Sequence, residues 1–349
     1  MNSYERAKVT LEGGIPDRVP SFELMIDPAV ITKIIGYDSY MDLCEYLDID
    51  ILVTPTPSKL YRETLIDEKK RIYKNEWGIV RRYSDEVVSI PMEGPIIEPE
   101  DILSYKPPDP LDEYRFEPIK ALVKRFKGKK LVGMHLHDSL NYTYYLRGME
   151  NLFMDLILDP ELVHSLVDIS IEHNMKMAEK AIDLGADFII FGDDYGTKLN
   201  TMMSPEHFNE FFLPGLRKIV QAVKAKGAYA FKHCCGNING ILDDMLDTGF
   251  DGIHPLDANA GMNMKAVKDA HKKLTIIGGI DCAAPLTSFT EEEMTEEVKR
   301  ILKLNAPGGR YIIASSNSVH SKTRPENFIA MQKAVQKYGL YSQSGELLF

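Results

Sequence analysis

The chain has 349 residues, of which 44% are hydrophobic and 27% charged, and its formal net charge is −11. This composition is typical of a globular protein with a large core. The acidic balance argues against nucleic-acid binding, because the densest basic cluster, residues 127–130, is short and is expected to be a solvated surface. No apolar run approaches the roughly 20 residues that span a bilayer, so no membrane association is expected.

The N-terminus indicates a cytoplasmic protein, and this location bears on the role of the cysteines. Residues 1–8 carry both charge signs and no apolar stretch, which predicts that no signal peptide is present. A cytoplasmic chain seldom keeps structural disulfides, so metal or thiol chemistry is the better expectation for its cysteines. They are Cys44, Cys234, Cys235 and Cys282.

Eight short apolar runs, each ending in polar residues, are predicted to be buried strands. In chain order they are residues 19–25, 51–53, 131–137, 188–194, 228–235, 252–257, 274–281 and 311–318. Amphipathic patterns between them predict helices over residues 160–184, 205–226, 238–248, 264–273 and 291–304. In the second half of the chain this alternation is regular enough for right-handed crossovers between parallel strands.

This alternation predicts an α/β fold in which residues 1–349 form a single (β/α)8 TIM barrel domain. A doubly wound open sheet is the alternative, but no glycine-rich phosphate loop follows the first strand. Residues 61–101 do not follow this alternation of apolar runs and amphipathic helical patterns, and they contain the only tryptophan, Trp77. They are predicted to be a small insertion after the second strand, either a hairpin or a lid.

In a barrel the catalytic groups lie where the strands end, and polar residues occur at six of these ends. They are Glu23 and Asp27; His135, His137 and Asp138; Asp193 and Asp194; His254 and Asp257; Asp281 and Cys282; and Asn317 and His320. Glu23 has apolar neighbours, so burial is expected to raise the pKa of its carboxyl unless it is paired. Asp193 and Asp194 fit a base, a metal ligand, a binder of cationic substrate or a cap of the next turn. Strand alternation allows only one of the two to enter the pocket.

The segment 231–237 reads Phe-Lys-His-Cys-Cys-Gly-Asn. Residues i and i+2 of a strand point to the same side, so His233 and Cys235 face one way and Cys234 faces the other. An imidazole and a thiolate on one face can provide two ligands for Zn²⁺. The alternative is a buried strand in which the cysteines act as small hydrophobic residues and the histidine is hydrogen-bonded.

Motifs along almost the whole chain are similar to those of one known family. They are Glu5-Arg6, Leu11-Glu12-Gly13, Pro16-Asp17-Arg18-Val19-Pro20, Gly192-Asp193-Asp194, Ser204-Pro205-Glu206, His233-Cys234-Cys235-Gly236-Asn237, Gly278-Gly279-Ile280-Asp281 and Pro325-Glu326-Asn327. Through them the chain resembles the uroporphyrinogen decarboxylase superfamily, which includes zinc methyltransferases that serve corrinoid proteins. The resemblance implies a (β/α)8 barrel.

The chain departs from the decarboxylases of this superfamily soon after the opening motif. The decarboxylases carry an arginine-rich segment there, whereas residues 21–28 read Ser-Phe-Glu-Leu-Met-Ile-Asp-Pro. A substrate with many carboxylates needs bidentate guanidinium partners, and an acidic stretch would repel it. Decarboxylation of uroporphyrinogen itself is therefore not expected.

The methyltransferase branch is the closer resemblance. It holds zinc with a His-x-Cys pair, matched by His233 and Cys235, and with a cysteine at the end of the last strand, where this chain has Asn317. The resemblance therefore implies a zinc site with a different third ligand. His320 is slightly favoured, and Cys282, Glu23 and Asp194 are the alternatives.

The resemblance and the strand-end residues together predict a methyltransferase. It would move a methyl group between a small methoxylated or similar donor and the cobalamin-type cofactor of a corrinoid protein. Asp194, Glu23 and Asp193 are predicted to be catalytic, by orienting the substrate or protonating the leaving group. The residues predicted to bind substrate are His137, Asn317, Asp281 and His254.

Two other functions stay open at this stage. One is a metal-free decarboxylase of a small carboxylic acid, and the other is a ligand-binding barrel without catalysis. The sequence also leaves open whether the protein forms a homodimer.

Overall fold

The strands of the main sheet are short runs of Ile, Val, Leu and Phe whose side chains are buried on both faces. Such runs are typical of parallel sheets that are covered by helices. In the computed structural model of the chain, residues 1–54, 62–85 and 88–349 are described. The elements below belong to these residues.

The strands are β1 (Ile51–Val53), β2 (Glu63–Asp67), β3 (Ile72–Asn75), β4 (Val80–Arg82), β5 (Ile90–Glu93), β6 (Leu131–Leu136), β7 (Phe188–Phe191), β8 (Tyr229–Cys234), β9 (Gly252–Pro255), β10 (Thr275–Ile280) and β11 (Tyr311–Ser315). The helices are α1 (Ser3–Leu11), α2 (Pro28–Ile35), α3 (Tyr40–Tyr46), α4 (Glu117–Phe126), α5 (Asn141–Arg147), α6 (Met149–Leu158), α7 (Pro160–Asp183), α8 (Pro205–His207), α9 (Leu213–Ala225), α10 (Leu242–Leu246), α11 (Met264–Ala270), α12 (Ala284–Thr287), α13 (Glu291–Asn305) and α14 (Pro325–Tyr338).

Seven strands form one parallel sheet in the order β1-β6-β7-β8-β9-β10-β11, which confirms the predicted α/β fold. The predicted strand 19–25 differs, because it forms only isolated bridges. Ser21 bridges to Ile313 of β11, and Phe22 bridges to Ile51 of β1. Pro20 has no amide hydrogen to donate, so a continuous ladder cannot form here, although its carbonyl accepts a hydrogen bond from Ile313.

The helices begin and end close to the predicted positions. The side chains of Asp159 and Ser204 cap α7 and α8, as the Asp-Pro and Ser-Pro pairs predict. A π-helical turn at Phe208–Phe212 joins α8 to α9, and α10 is shorter than its predicted range. None of the described helices combines the length and the apolar content needed to cross a bilayer.

A second, antiparallel sheet of strands β2 to β5 lies within the predicted insertion 61–101. It packs against the main domain through Trp77, whose ring stacks on Tyr142 of α5 at a centroid distance of 3.9 Å. Leu162 and Leu166 of α7 belong to the same buried cluster. Residues 61, 86 and 87 of the predicted insertion lie outside the described residues. The role of this sheet as a lid stays a prediction.

Candidate active site and metal centre

Three residues with metal-binding side chains meet where β7 and β8 end. The ligand atoms of Asp194, His233 and Cys235 all lie within 4.8 Å of one another. His233 Nε2 is 3.4 Å from Cys235 Sγ and 3.7 Å from Asp194 Oδ1. Neighbouring parallel strands place their carboxyl ends at one edge, and alternation on β8 directs His233 and Cys235 to the same side.

Glycine allows the loops after β7 and β8 to touch. Gly236 has a positive φ of 83°, and a β-carbon there would come within 2.5 Å of the Gly196 backbone. A β-carbon at Gly196 would likewise come within 2.7 Å of the Cys235 carbonyl oxygen. These contacts hold Asp194, on the first loop, beside Cys235, on the second, and the Cys235 amide donates a 2.7 Å hydrogen bond to Asp194 Oδ1.

A chain of hydrogen bonds behind His233 determines which of its ring nitrogens carries a proton. His254 Nε2 is 2.8 Å from the Ser315 carbonyl, which can only accept, so this nitrogen is protonated. Burial lowers the pKa of His254 to about 4, so the ring is neutral and its Nδ1 is an acceptor. His233 Nδ1 lies 2.7 Å from that acceptor and must donate to it. His233 Nε2 therefore presents a lone pair to Cys235 and Asp194.

Asn317 provides a donor to the cysteine sulfur. Its Oδ1 accepts a 2.7 Å hydrogen bond from the Ser318 amide, which fixes the orientation of the side-chain amide. The amide nitrogen then donates to Cys235 Sγ at 3.1 Å. Burial raises the pKa of the Cys235 thiol well above its ordinary value. The ligand atoms of the three side chains thus converge on one point, an arrangement that can hold a metal ion once the thiol has lost its proton.

Glu23 lies behind the hydrogen bonds that link Ser315, His254 and His233, which we call the hydrogen-bond relay, and not at the cavity. Its carboxyl is fully buried, and both oxygens are 3.3 Å from the Ser315 amide nitrogen. Burial raises the pKa of Glu23 to about 8, in line with the expectation from its apolar neighbours. The Ser315 hydroxyl contacts both this carboxyl and the Asn317 carbonyl. One hydroxyl proton serves one acceptor, so a protonated Glu23 satisfies both contacts.

Asp193 is turned away from the cluster. Its Oδ1 accepts a 2.7 Å hydrogen bond from His137 Nδ1. Its Oδ2 accepts from three backbone amides between the end of β6 and the first residue of α5, at 3.1, 2.9 and 2.8 Å. Asp193 therefore positions His137 and α5, whereas 49% of the Asp194 side chain remains exposed at the mouth.

A cavity of about 500 Å³ opens onto the cluster. Of the residues predicted to bind substrate, His137 and Asn317 line it. His254 lies behind His233, and Asp281 lines a separate cavity of about 630 Å³, where it accepts a hydrogen bond from Asn259. Polar and aromatic side chains lie among apolar ones in the lining of the first cavity. They include Arg81, Ser89, His135, His137, Tyr144, Tyr145, Asp194, His233 and Asn317.

The structure brings Asp194, and not His320, to the His233–Cys235 pair. His320 Nε2 lies 3.1 Å from the Cys282 carbonyl, and its Nδ1 accepts from the Lys322 amide. Both ring nitrogens are therefore engaged away from the cluster. Cys282 and Glu23 also carry side chains that could bind a metal, but among the described residues they lie outside the group of converging ligand atoms.

Two features near the site were missed by reasoning from the sequence. Arg81, on β4, lines the cavity, but its position depends on how the second sheet docks, for which the sequence carries no local signal. Lys232, on β8, is fully buried and donates to Asp138 at 2.5 Å. A lysine inside an apolar strand run indicates a buried acidic partner, so this pair could have been found.

The chain is similar to known proteins along most of its length. A family model described as uroporphyrinogen decarboxylase (URO-D) matches residues 81–338. A methylcobamide:CoM methyltransferase, MtbA, of Methanosarcina acetivorans is 27% identical over 64% of this chain and 62% of its own length. The chain thus spans less than two-thirds of that relative. A uroporphyrinogen decarboxylase of Pseudoalteromonas atlantica is 24% identical over 72% of each chain.

A solved structure agrees with the fold over nearly the whole chain. It is a methyltransferase from Methanosarcina mazei, with a TM-score of 0.75 and 17% identity, and the match covers 97% of this chain and 99% of the other. At this identity the likeness shows the fold alone.

Proposed function

This chain belongs to the uroporphyrinogen decarboxylase family, and from that premise we propose that it is a zinc-dependent methyltransferase. It would move a methyl group between a small methoxylated or similar donor and a corrinoid protein. The relatives described above are enzymes, and this chain is an enzyme. The observation that carries the proposal is the convergence of three metal-binding side chains, those of Asp194, His233 and Cys235, beside the cavity.

We also infer a complete eight-membered barrel. Residues 19–26 bridge both edge strands of the seven-stranded sheet, so they occupy the eighth position around it. The second sheet would be the insertion that covers the mouth, because Arg81 and Ser89 line the cavity. The four cysteines are free, in line with the cytoplasmic location that we propose.

The cluster fits a metal ion on physical grounds. His233 Nε2 carries no proton, so it faces the Asp194 carboxylate at 3.7 Å as one acceptor facing another. A cation between the two groups would make this approach favourable. A set of one sulfur, one nitrogen and one oxygen ligand suits Zn²⁺ and leaves a position for substrate. Cys235, His233 and Asp194 would hold this ion, which supplies Lewis-acid chemistry when bound.

The side chains around the cluster would orient the reacting groups. His254 keeps the His233 lone pair directed at the cluster, and the Asn317 amide stabilises the Cys235 thiolate through its hydrogen bond. Asp193 holds His137 at the cavity wall, where the ring can contact the donor. Glu23 keeps a proton at neutral pH and fixes Ser315, which in turn holds His254.

A decarboxylase of a small carboxylic acid is the second candidate, favoured by one observation. Arg81 places a guanidinium in the cavity wall, where it could bind the carboxylate of such a substrate. The two functions differ in the need for a metal. Release of carbon dioxide from small acids by chelator-treated protein would favour the decarboxylase.

Methyl transfer to cob(I)alamin tests the main proposal. We expect a panel of small methyl donors to include at least one that methylates cob(I)alamin with the zinc-loaded protein. We expect His233→Ala to abolish this transfer without unfolding the protein. The control is His271→Ala, which removes a histidine that pairs with Asp243 at the surface. Full activity of His233→Ala would contradict the proposal.

Zinc content separates the two choices of third ligand. We expect Asp194→Ala to lower the zinc content of the purified protein, because this change removes a converging oxygen ligand. His320→Ala should leave the content near one ion per chain. Loss of zinc in His320→Ala but not in Asp194→Ala would instead identify His320 as the third ligand.

A further inference from the structure

Arg81 is a buried cation that faces the cavity. Its side chain is 3% exposed, and Nε and Nη2 donate to the Ser89 hydroxyl and carbonyl at 2.7 and 3.0 Å. The guanidinium also lies over the Tyr145 ring, with Cζ 4.8 Å from the centroid. No carboxylate of the described residues forms an ion pair with it. A buried charge without a counter-ion is costly, so a ligand with a negative charge would compensate it.

A second side chain in the same cavity also lacks a partner. His135 is 5% exposed, and neither of its ring nitrogens has a hydrogen-bond partner among the described residues. Gly192 permits the ring to lie there, because a β-carbon at that position would come within 2.0 Å of His135 Nε2. Within the described part of the chain, the cavity thus contains a cation without an anion and a histidine with free hydrogen-bonding atoms.

The remaining lining suggests the rest of the ligand. Tyr144, Tyr145 and Leu24 form an apolar and aromatic wall. The acidic residue in the lining, Asp194, belongs to the metal cluster and does not pair with Arg81. Arg81 comes from the second sheet, whereas the cluster lies on the main sheet. A ligand bound to Arg81 through one end would therefore extend from one sheet toward the other.

We propose that Arg81 selects methyl donors that carry a carboxylate. The carboxylate binds the guanidinium in the second sheet, the body of the donor packs on the tyrosine wall, and His135 forms a hydrogen bond with a polar atom of the donor. This inference rests on the proposed function, because it names the substrate class of the same cavity.

Binding of matched acids and amides tests this selection without any corrinoid. The probes are 4-methoxybenzoate with 4-methoxybenzamide and methoxyacetate with methoxyacetamide, titrated into the protein by calorimetry. In at least one pair we expect the acid to bind about tenfold more tightly than the amide, or better, because hydrogen bonds to a charged group are the stronger kind. Arg81→Gln should abolish the preference, with a larger loss of affinity for the acid than for the amide.

Arg82→Gln is the matched control, because Arg82 is the next residue on β4 and is exposed. It should keep the full preference for the acid, and Arg81→Lys should keep part of it. No preference in either pair, or an undiminished preference in Arg81→Gln, would overturn the inference. An equal loss of acid binding and amide binding in both Arg81 variants would also overturn the inference. Arg81 would then only stabilise the second sheet. A failed methyl-transfer assay would leave these binding results unaffected, so the two hypotheses fail separately.

Discussion

Strand β8 has two buried faces with opposite electrostatic character. On one, which we name the cluster face, the metal-binding atoms of His233 and Cys235 converge with those of Asp194. On the other, which we name the ion-pair face, Lys232 and Asp138 are both fully buried and neutralise each other. A buried ion pair indicates a role in stability, whereas converging metal-binding groups indicate a place for a ligand.

The adjacent cysteines show the same contrast. Cys234, on the ion-pair face, lies in the hydrophobic core, and its sulfur accepts a hydrogen bond from the Tyr195 amide at 3.2 Å. Burial raises the pKa of both thiols, that of Cys234 to about 12, so the direction of the pKa shift does not separate the two. Cys235 instead has Asn317, His233 and Asp194 around its sulfur. Residue type alone does not distinguish the two, but their surroundings do.

The largest expected effect concerns these two cysteines. Cys235→Ser should lose nearly all of the zinc found in the wild-type protein, because serine replaces the sulfur ligand of the cluster face. Cys234→Ser should keep about one zinc ion per chain. Metal analysis of both proteins, purified without added metal, checks the difference. Equal zinc content in the two variants would remove the functional distinction between the faces.

The ion-pair face is tested by stability. Lys232→Met leaves Asp138 buried without a counter-ion, so we expect the free energy of unfolding to fall by about 3–5 kcal/mol. Urea unfolding of metal-free protein measures this change. The control is Lys226→Met, which removes a surface pair with Asp183 and should cost at most about 1 kcal/mol. A similar small loss for both would show that the buried pair contributes little.

A smaller effect is expected behind the cluster face. His254→Ala removes the acceptor that fixes the proton of His233, so we expect zinc affinity to fall about 10- to 100-fold. Competition with a chelator of known affinity measures the change, and His271→Ala provides a histidine control. Unchanged affinity would mean that His233 needs no orienting partner.

The smallest effect is a change in pH dependence. The pKa of Glu23 is about 8 in the folded protein, against an ordinary value of 4.5. Between these values the folded protein holds a proton that the unfolded chain releases, so this carboxyl makes stability fall as pH rises. The slope is at most about 1.4 kcal/mol per pH unit. Urea unfolding from about pH 5 to about pH 8 should show a shallower fall for Glu23→Gln, and identical slopes would contradict the buried proton.

The parts of the site that follow from local strand geometry were predictable from the sequence. Alternation on β8 correctly placed His233 and Cys235 on one side, and the polar strand ends indicated the mouth. The side chain that joins this pair was not predictable, because the choice between Asp194 and His320 depends on contacts between separate loops. The position of Arg81 in the cavity wall could not be predicted for a similar reason, because it depends on how the second sheet packs on α5 and α7. Residues 19–25 form only isolated bridges instead of the predicted strand. This outcome depends on how they pair with the two edge strands of the sheet, β1 and β11, which the local sequence does not reveal.

The hydrogen-bond relay joins parts of the chain that are far apart in sequence. Glu23 lies near the start, His233 and His254 lie in the middle, and Ser315 and Asn317 are near the end. A ribosome therefore exposes the Cys235 thiol well before β11 has been made. Until that strand docks, the thiol lacks its amide donor and His254 lacks its carbonyl partner. We expect the nascent chain to acquire a correctly ordered metal site only in the last stage of its synthesis.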